Sequence, residues 1–237
     1  MARGAYLLNL GTVPYGEAWD LQRSLAGAVS QGAIPDTVVL LEHPPVVTLG
    51  RRTDEEELHL PETAEVEIVE TDRGGKSTYH GPGQLVAYPI LDLHRHGKDV
   101  KGYVRSLEGA IVRTLELLGI EATTYDGLTG VWLASPPRKI ASIGVHVSRW
   151  VTTHGYALNV DLDPAPFTDW ITACGLEDAA FTTVSRELGR DVGVDEVRPL
   201  AAQGIAEAFD LELDELPAED WDGFWAQPIH AKLAARR

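Results

Sequence analysis

The sequence predicts a mixed α/β (α+β) fold, one domain spanning 1–237 on a mixed β-sheet punctuated by helices. Three observations carry that expectation. Short β-rich runs dominate the first two thirds of the 237 residues, and helical periodicity separates them before it takes over toward the C-terminus. No internal repeat or low-complexity tract divides the chain, and a hydrophobic fraction of 44% is enough for a substantial core.

The elements follow in order. Tyr6–Leu10 reads as a first strand, and Ala18, Leu21, Leu25, Ala28 and Val29 then share one helical face. Thr37–Leu41 is a continuous apolar run, expected to be a buried strand that His43-Pro44-Pro45 ends, because proline cannot donate to a ladder. Val46–Leu49 resumes as a strand until Gly50. Asp54-Glu55-Glu56-Glu57 reads as an exposed loop or helix start, and Glu65–Glu70 alternates as a half-buried strand would. A glycine-rich loop covers Arg73–Gln84, followed by a strand over Leu85–Leu91 and a helix over Val100–Leu118 closed by Gly119. Ile140–Val147 and Val151–Val160 are expected to form a hairpin turning near Ser148-Arg149-Trp150. Helices are expected around Thr182–Leu188 and Glu196–Phe209.

Composition limits the function. A single cysteine, Cys174, rules out an intramolecular disulfide and fits a reducing, cytoplasmic setting. The apolar run at the N-terminus is short and broken by Asn9, unlike a secretory leader, and no stretch approaches 18 consecutive apolar residues. No membrane association is therefore expected. A net charge of −16 argues against binding nucleic acid. The charge is uneven: residues 51–150 hold 12 Lys+Arg against 15 Asp+Glu, leaving a nearly balanced middle in an acidic chain. Arg51, Arg52, Arg73, Lys76, Arg138, Lys139 and Arg149 lie there; the balance allows either a local basic face that receives an acidic partner or, the simpler reading, a solvated mixed surface.

Two phosphate-binding motifs fail. Gly75-Lys76-Ser77 ends like a P-loop, but the required earlier glycine is Glu70. Gly81-Pro82-Gly83 begins like a dinucleotide fingerprint, but the third glycine is Val86. Three other stretches carry information. Arg73–Gln84 has four glycines, which let a backbone approach a ligand closely, although the same composition also makes a long turn. Lys139 opens an expected strand, where most lysines are simply solvated. Cys174 is followed by Gly175, leaving its sulfur unhindered, although a lone cysteine is often only a small buried hydrophobe.

Together these stretches identify a family. Arg-Gly-Gly-x-x-Thr-x-His-Gly-Pro-Gly-Gln at 73–84, Lys-Ile-Ala-Ser-Ile-Gly at 139–144, His-Gly-x-Ala-Leu-Asn-Val at 154–160 and Cys-Gly at 174–175 closely resemble the octanoyltransferases of lipoate biosynthesis. The resemblance covers about residues 5–190, and Ala173 departs from the proline that many members carry before the cysteine. It implies a fold similar to lipoate and biotin ligase catalytic domains. It also implies transfer of an octanoyl group from octanoyl-acyl carrier protein to a lysine of lipoyl domains, those of 2-oxoacid dehydrogenase E2 subunits and of glycine cleavage H protein. The implied enzyme is a monomer without cofactor or metal, and it works by ping-pong through an acyl-cysteine. Carried onto this chain, Cys174 is the nucleophile and Lys139 its activator. The implied substrate-binding residues are Arg73, Gly74, Gly75, Lys76, Ser77, Thr78, Tyr79, His80, Ser142, Ile143, Gly144, His154, Gly155, Tyr156 and Ala157.

The chemistry agrees. A free thiol has a pKa near about 8.5 and needs a nearby cation or base, which Lys139 can supply as charge or as proton shuttle. His80 and His154 leave alternatives open, since Cys–His pairs are common nucleophile arrangements and His80, His154 and Cys174 are also potential zinc ligands without paired short spacing. An ATP-dependent ligase of the same fold would not need Cys174.

Overall fold

The computed structural model describes residues 2–54, 56, 58–61, 64, 66–171 and 180–217. Along the chain the elements are β1 (Arg3–Thr12), α1 (Tyr15–Ser30), β2 (Thr37–Glu42), β3 (Val46–Leu49), β4 (Glu67–Glu70), β5 (Thr78–His80), β6 (Gln84–Ile90) and α2 (Val100–Leu117). They continue with β7 (Thr123–Tyr125), β8 (Leu128–Ala134), β9 (Pro137–Ser148), β10 (Val151–Asn159), α3 (Pro166–Asp169), β11 (Ala180–Phe181), α4 (Val184–Leu188), α5 (Val194–Phe209) and β12 (Leu211–Glu215).

The large sheet is mixed, as the sequence predicts. Its order is β12-β1-β2-β6-β10-β9-β8-β7, with β11 added parallel to β9. The pairs β12·β1 and β1·β2 are parallel, and the rest of that path is antiparallel. A smaller sheet has the order β4-β3-β5.

Helices cover both faces of the large sheet, which explains the unbroken apolar runs of its central strands. Every residue of β6 and β10 is buried, and so are the first five of β2. On one face Val38, Leu40, Leu85, Leu91 and Leu158 pack with Leu107, Ile111 and Leu115 of α2 and Ala201 and Ile205 of α5. On the other, Leu8, Val39, Leu41, Val86 and Ile90 pack against Leu21, Leu25 and Val29 of α1. Each fully buried Leu or Val contributes about 1.5–3 kcal/mol. A third cluster of Val47, Tyr79, Leu162, Phe167 and Ile171 joins the small sheet to α3.

Some elements differ from expectation. The hairpin β7–β8 and the edge strand β12 are too short and too weakly patterned to stand out in the sequence. Only Glu67–Glu70 of the alternating stretch is a described strand, and there Ile68 is 51% exposed because β4 is the edge of the small sheet. The glycine-rich loop is interrupted by β5, which pairs with β3. Strand β9 starts before Ile140, so Lys139 lies within it and does not open it. No helix among the described residues is long and apolar enough to cross a membrane.

Candidate active site

A cavity of about 410 Å³ opens between the large sheet and the glycine-rich loop. Its walls come from four places: the loop and β5 (residues 73–78 and His80), β9 (Lys139 and residues 142–145), β10 (residues 154–157), and the start of β8 with Trp132. Val86 and Tyr88 of β6, Val104 of α2, Tyr15 of α1 and Arg52 complete it. The implied binding residues therefore converge, with one exception. Tyr79 does not line the cavity; its ring packs edge-on against Phe167 and Trp170. Cys174 lies outside the described residues.

Lys139 is 2% exposed, contrary to the solvated lysine that its sequence position suggests. Its Nζ donates to the Thr129 carbonyl at 3.3 Å and sits 5.3 Å from the Trp132 ring centroid, within range of a cation–π contact. A buried ammonium is costly unless paired and hydrogen-bonded, so its place beside a cavity is a functional signal. Its strand neighbour is Phe181 of β11, and its carbonyl accepts from the Thr182 N–H.

Arg73 does not reach into the cavity as a solvated cation would. Its Nε and Nη2 donate to Thr48 Oγ1, Nη2 also donates to the Thr48 carbonyl at 2.7 Å, and Nη1 donates to the carbonyls of Gly74 and Lys76. The guanidinium fork thus ties the loop to β3 and to itself. The Gly74 N–H donates to the Val145 carbonyl, seating the loop on β9. The loop can lie this close because residue 144 is glycine: a Cβ there would stand 3.0 Å from the Gly74 carbonyl oxygen and 3.1 Å from Arg73 Cδ.

His154 is the strained residue of the site. It holds φ 58, a left-handed conformation that histidine adopts more readily than most residues but still at a cost. Its neighbour must be glycine, since a Cβ on Gly155 would meet the Ala87 carbonyl oxygen at 2.1 Å. The His154 N–H donates to Gln22 Oε1, and the imidazole spans from α1 to the loop. Nε2 lies 2.7 Å from Asp72 Oδ1 and Nδ1 lies 3.2 Å from the Tyr15 hydroxyl. The hydrogen bond from His154 holds the Asp72 carboxyl below its usual pKa, so the carboxylate accepts from Nε2–H. Burial pushes His154 down and Tyr15 up to about 12, so the Tyr15 hydroxyl donates to a neutral Nδ1.

Two more buried histidines stand here: His80 lines the cavity, and His43 packs behind it with ring centroids 5.6 Å apart. His43 Nδ1 faces the Val13 carbonyl and must carry the proton, so its Nε2 accepts from the Tyr88 hydroxyl at 2.7 Å. Burial lowers His43 to about 4. His80, pushed well below its ordinary pKa by burial and then by His43, donates from Nδ1 to Gln84 Oε1. Gln84 donates on to Asn159 and the Tyr79 carbonyl, and Asn159 donates to the Thr182 carbonyl. That chain ends at backbone carbonyls, which fixes both amides and leaves His80 Nε2 as the ring's unprotonated nitrogen.

Sequence reasoning missed Tyr15, His43, Asp72, Tyr88 and Trp132. Asp72 is adjacent to the loop and was accessible by proximity; the others are isolated residues that only the fold brings together. Among the described residues, no group of three His, Cys, Asp or Glu side chains is arranged to hold a metal ion.

Comparison with known proteins fits this geometry. Residues 14–206 match the lipoyl protein ligase A/B catalytic domain. An octanoyltransferase of Mycobacterium tuberculosis is 53% identical over 204 residues, covering 85% of this chain and 86% of the relative. The chain belongs to the octanoyltransferases of the lipoyl protein ligase A/B family. Another octanoyltransferase, of Mycobacterium marinum, is 47% identical over 230 residues and covered to 93% on both sides. The octanoyltransferase fold here is also that of more distant structures. A bipartite lipoate protein ligase of Thermoplasma acidophilum superposes with a TM-score of 0.72 at 19% identity, over 99% of this chain and 91% of that one. A lipoate-protein ligase A bound with ATP gives 0.69 at 18% identity, over 100% and 94%.

Proposed function

We propose that this octanoyltransferase takes an octanoyl group from octanoyl-acyl carrier protein and passes it to a lysine of lipoyl domains through a thioester on Cys174. The observation that carries the reading is the fully buried Lys139 on the wall of a 410 Å³ cavity whose other wall is a glycine-rich loop. A cavity of that size suits a medium-length acyl chain. The described flanks of the segment bearing Cys174 support the assignment: Phe181 pairs with Lys139, and Ile171 bridges to Leu58.

In the first step the Cys174 sulfur attacks the donor thioester carbonyl, with Lys139 supplying the positive charge or taking the thiol proton. The carrier thiol leaves with a proton. In the second step the acceptor lysine amine attacks the acyl-cysteine carbonyl, an amide forms and the Cys174 thiol is released. The first step exchanges one thioester for another and the second is downhill, so no nucleotide is consumed. Backbone and side-chain groups at 73–78, His80, 142–144 and 154–157 would bind the chain and carbonyl. The acceptors in this reading are lipoyl domains of 2-oxoacid dehydrogenase E2 subunits and glycine cleavage H protein, and the enzyme acts as a cytoplasmic monomer.

Intact mass after incubation with octanoyl-acyl carrier protein tests this. An octanoyl adduct on the wild type, absent from Cys174→Ala and discharged by a lipoyl domain, is expected. Turnover only with lipoate and ATP, with no adduct, would overturn it in favour of a ligase.

A further inference from the structure

One peptide unit, Thr129–Gly130 at the start of β8, joins Lys139 to helix α2. Its carbonyl, on Thr129, accepts from Lys139 Nζ at 3.3 Å. Its N–H, on Gly130, donates to Glu108 Oε1 of α2 at 3.1 Å. The unit is trans, so the N–H and the C=O point in opposite directions. Holding the N–H therefore sets the direction of the carbonyl.

The regular sheet does not set that direction. Strand β7 pairs with β8 at Leu128 and Trp132, and β9 pairs with it from Val131 onward, so neither Thr129 nor Gly130 stands at a paired position. Half-buried Glu108 supplies from a helix the partner that a neighbouring strand would otherwise offer.

Two further features converge on the same lysine. Gly130 holds φ 128, a conformation that favours glycine, and a Cβ there would stand 2.7 Å from Lys139 Cε and 2.7 Å from the Ala141 carbonyl oxygen. The lysine stem thus passes close over the bare Gly130 α-carbon. Alongside, the register steps from Ala141 to Lys139 on β9 while β8 advances only from Val131 to Trp132. Ile140 is the extra residue of a β-bulge, a device that re-aims side chains beside active sites. Ile140, Ala141 and Val131 all pack in the core with Leu107 and Ile111 of α2. Lys139 stands opposite Trp132 and shares that residue's face of the sheet, with Nζ 5.3 Å from the ring centroid. The Thr129–Gly130 peptide therefore connects a carboxylate on the helix side to an ammonium on the cavity side.

We propose that Glu108 is a positioning residue for acyl transfer: by holding the Gly130 N–H it turns the Thr129 carbonyl toward Lys139 and fixes the ammonium at the cavity wall. The inference rests on the acyl-transfer reading above, in which Lys139 activates the Cys174 thiol. Glu108 does not itself line the cavity, so its effect on the reaction runs through Lys139.

The test compares wild type with Glu108→Ala, which removes the acceptor, and with Glu108→Gln, which keeps an acceptor oxygen at the same reach. Acylation by octanoyl-acyl carrier protein is followed in single turnovers by intact mass, beside a thermal melt of each protein. Glu108→Ala is expected to lose about tenfold in the maximal acylation rate, the weight of one lost hydrogen bond, with the half-saturating donor concentration within about twofold of wild type. Glu108→Gln should stay within about threefold of wild type in rate. An unchanged rate in Glu108→Ala would overturn the proposal, and so would equal losses in the two variants or a loss confined to the half-saturating concentration. A second readout does not depend on acyl transfer: the rate at which acetic anhydride labels Lys139, read by peptide mass. Labelling should be about tenfold faster in Glu108→Ala than in wild type and nearly unchanged in Glu108→Gln. If wild type carried no octanoyl adduct, the acyl-transfer reading would fail; the labelling rates then decide the positioning claim by themselves, equal rates in all three proteins overturning it.

Discussion

His154 Nε2 lies 2.7 Å from Asp72 Oδ1, joining the kinked middle of β10 to the residue that precedes the glycine-rich loop. The same imidazole takes the Tyr15 hydroxyl on its other side, so one strained residue links α1, the sheet and the loop. His154→Ala is expected to remove both bonds while leaving the left-handed backbone strained. The loss is about 2–4 kcal/mol, and His154→Asn, which tolerates that backbone better, should lose less. Urea unfolding at neutral pH measures both. Equal losses would mean that the backbone conformation contributes nothing.

His43 makes the fold acid-sensitive. Its pKa falls from an unfolded value near 6.5 to about 4, so below 6.5 the unfolded chain binds a proton that the folded chain refuses. The stabilisation is fully present above 6.5 and is lost as pH falls toward 4. By linkage the loss amounts to about 2 kcal/mol at pH 5. Burial shifts His80 and His154 in the same direction. Stability should therefore drop between pH 7 and 5, and the drop should be about 2 kcal/mol smaller in His43→Gln. Identical pH slopes for the two proteins would refute this.

Lys139→Met tests the buried cation. Methionine approximates the volume without the charge, so stability should change by less than about 1.5 kcal/mol. Acyl transfer should fall by at least about 10²-fold, the usual contribution of a positioned proton-transfer group. Single-turnover acylation followed by mass, beside a thermal melt, separates the two effects. An active Lys139→Met would remove the lysine from the mechanism.

Arg73→Lys addresses the clamp. A lysine cannot reproduce a fork that serves Thr48, Gly74 and Lys76 together, so buried carbonyls lose their donors at a cost of about 2–4 kcal/mol. Hydrogen exchange at residues 74–77 should accelerate before the rest of the chain does. Unchanged exchange there would show that the Gly74–Val145 bond alone seats the loop.

Much of this was legible in the chain itself. The buried strands Thr37–Leu41 and Leu85–Leu91 announce themselves because both faces of the sheet are covered and the apolar run is unbroken. The glycines at 144 and 155 and the loop at 73–84 stand out because close backbone approach admits no other residue type. These local constraints are written residue by residue, and they determined the fold class, the family and most of the cavity wall.

What the sequence could not determine depends on pairings between distant segments. Nothing local distinguishes Lys139 from a solvated lysine; strand β9, flanked by β8 and β11, buries it. The partnerships Tyr15–His154–Asp72 and His43–Tyr88 span several elements, and each residue alone is unremarkable. Arg73 reads as a ligand-facing cation until three carbonyls claim its fork. Burial and hydrogen-bond partnership are properties of the packed chain, and in this protein they decided which charged and titratable groups face the cavity and which hold its walls.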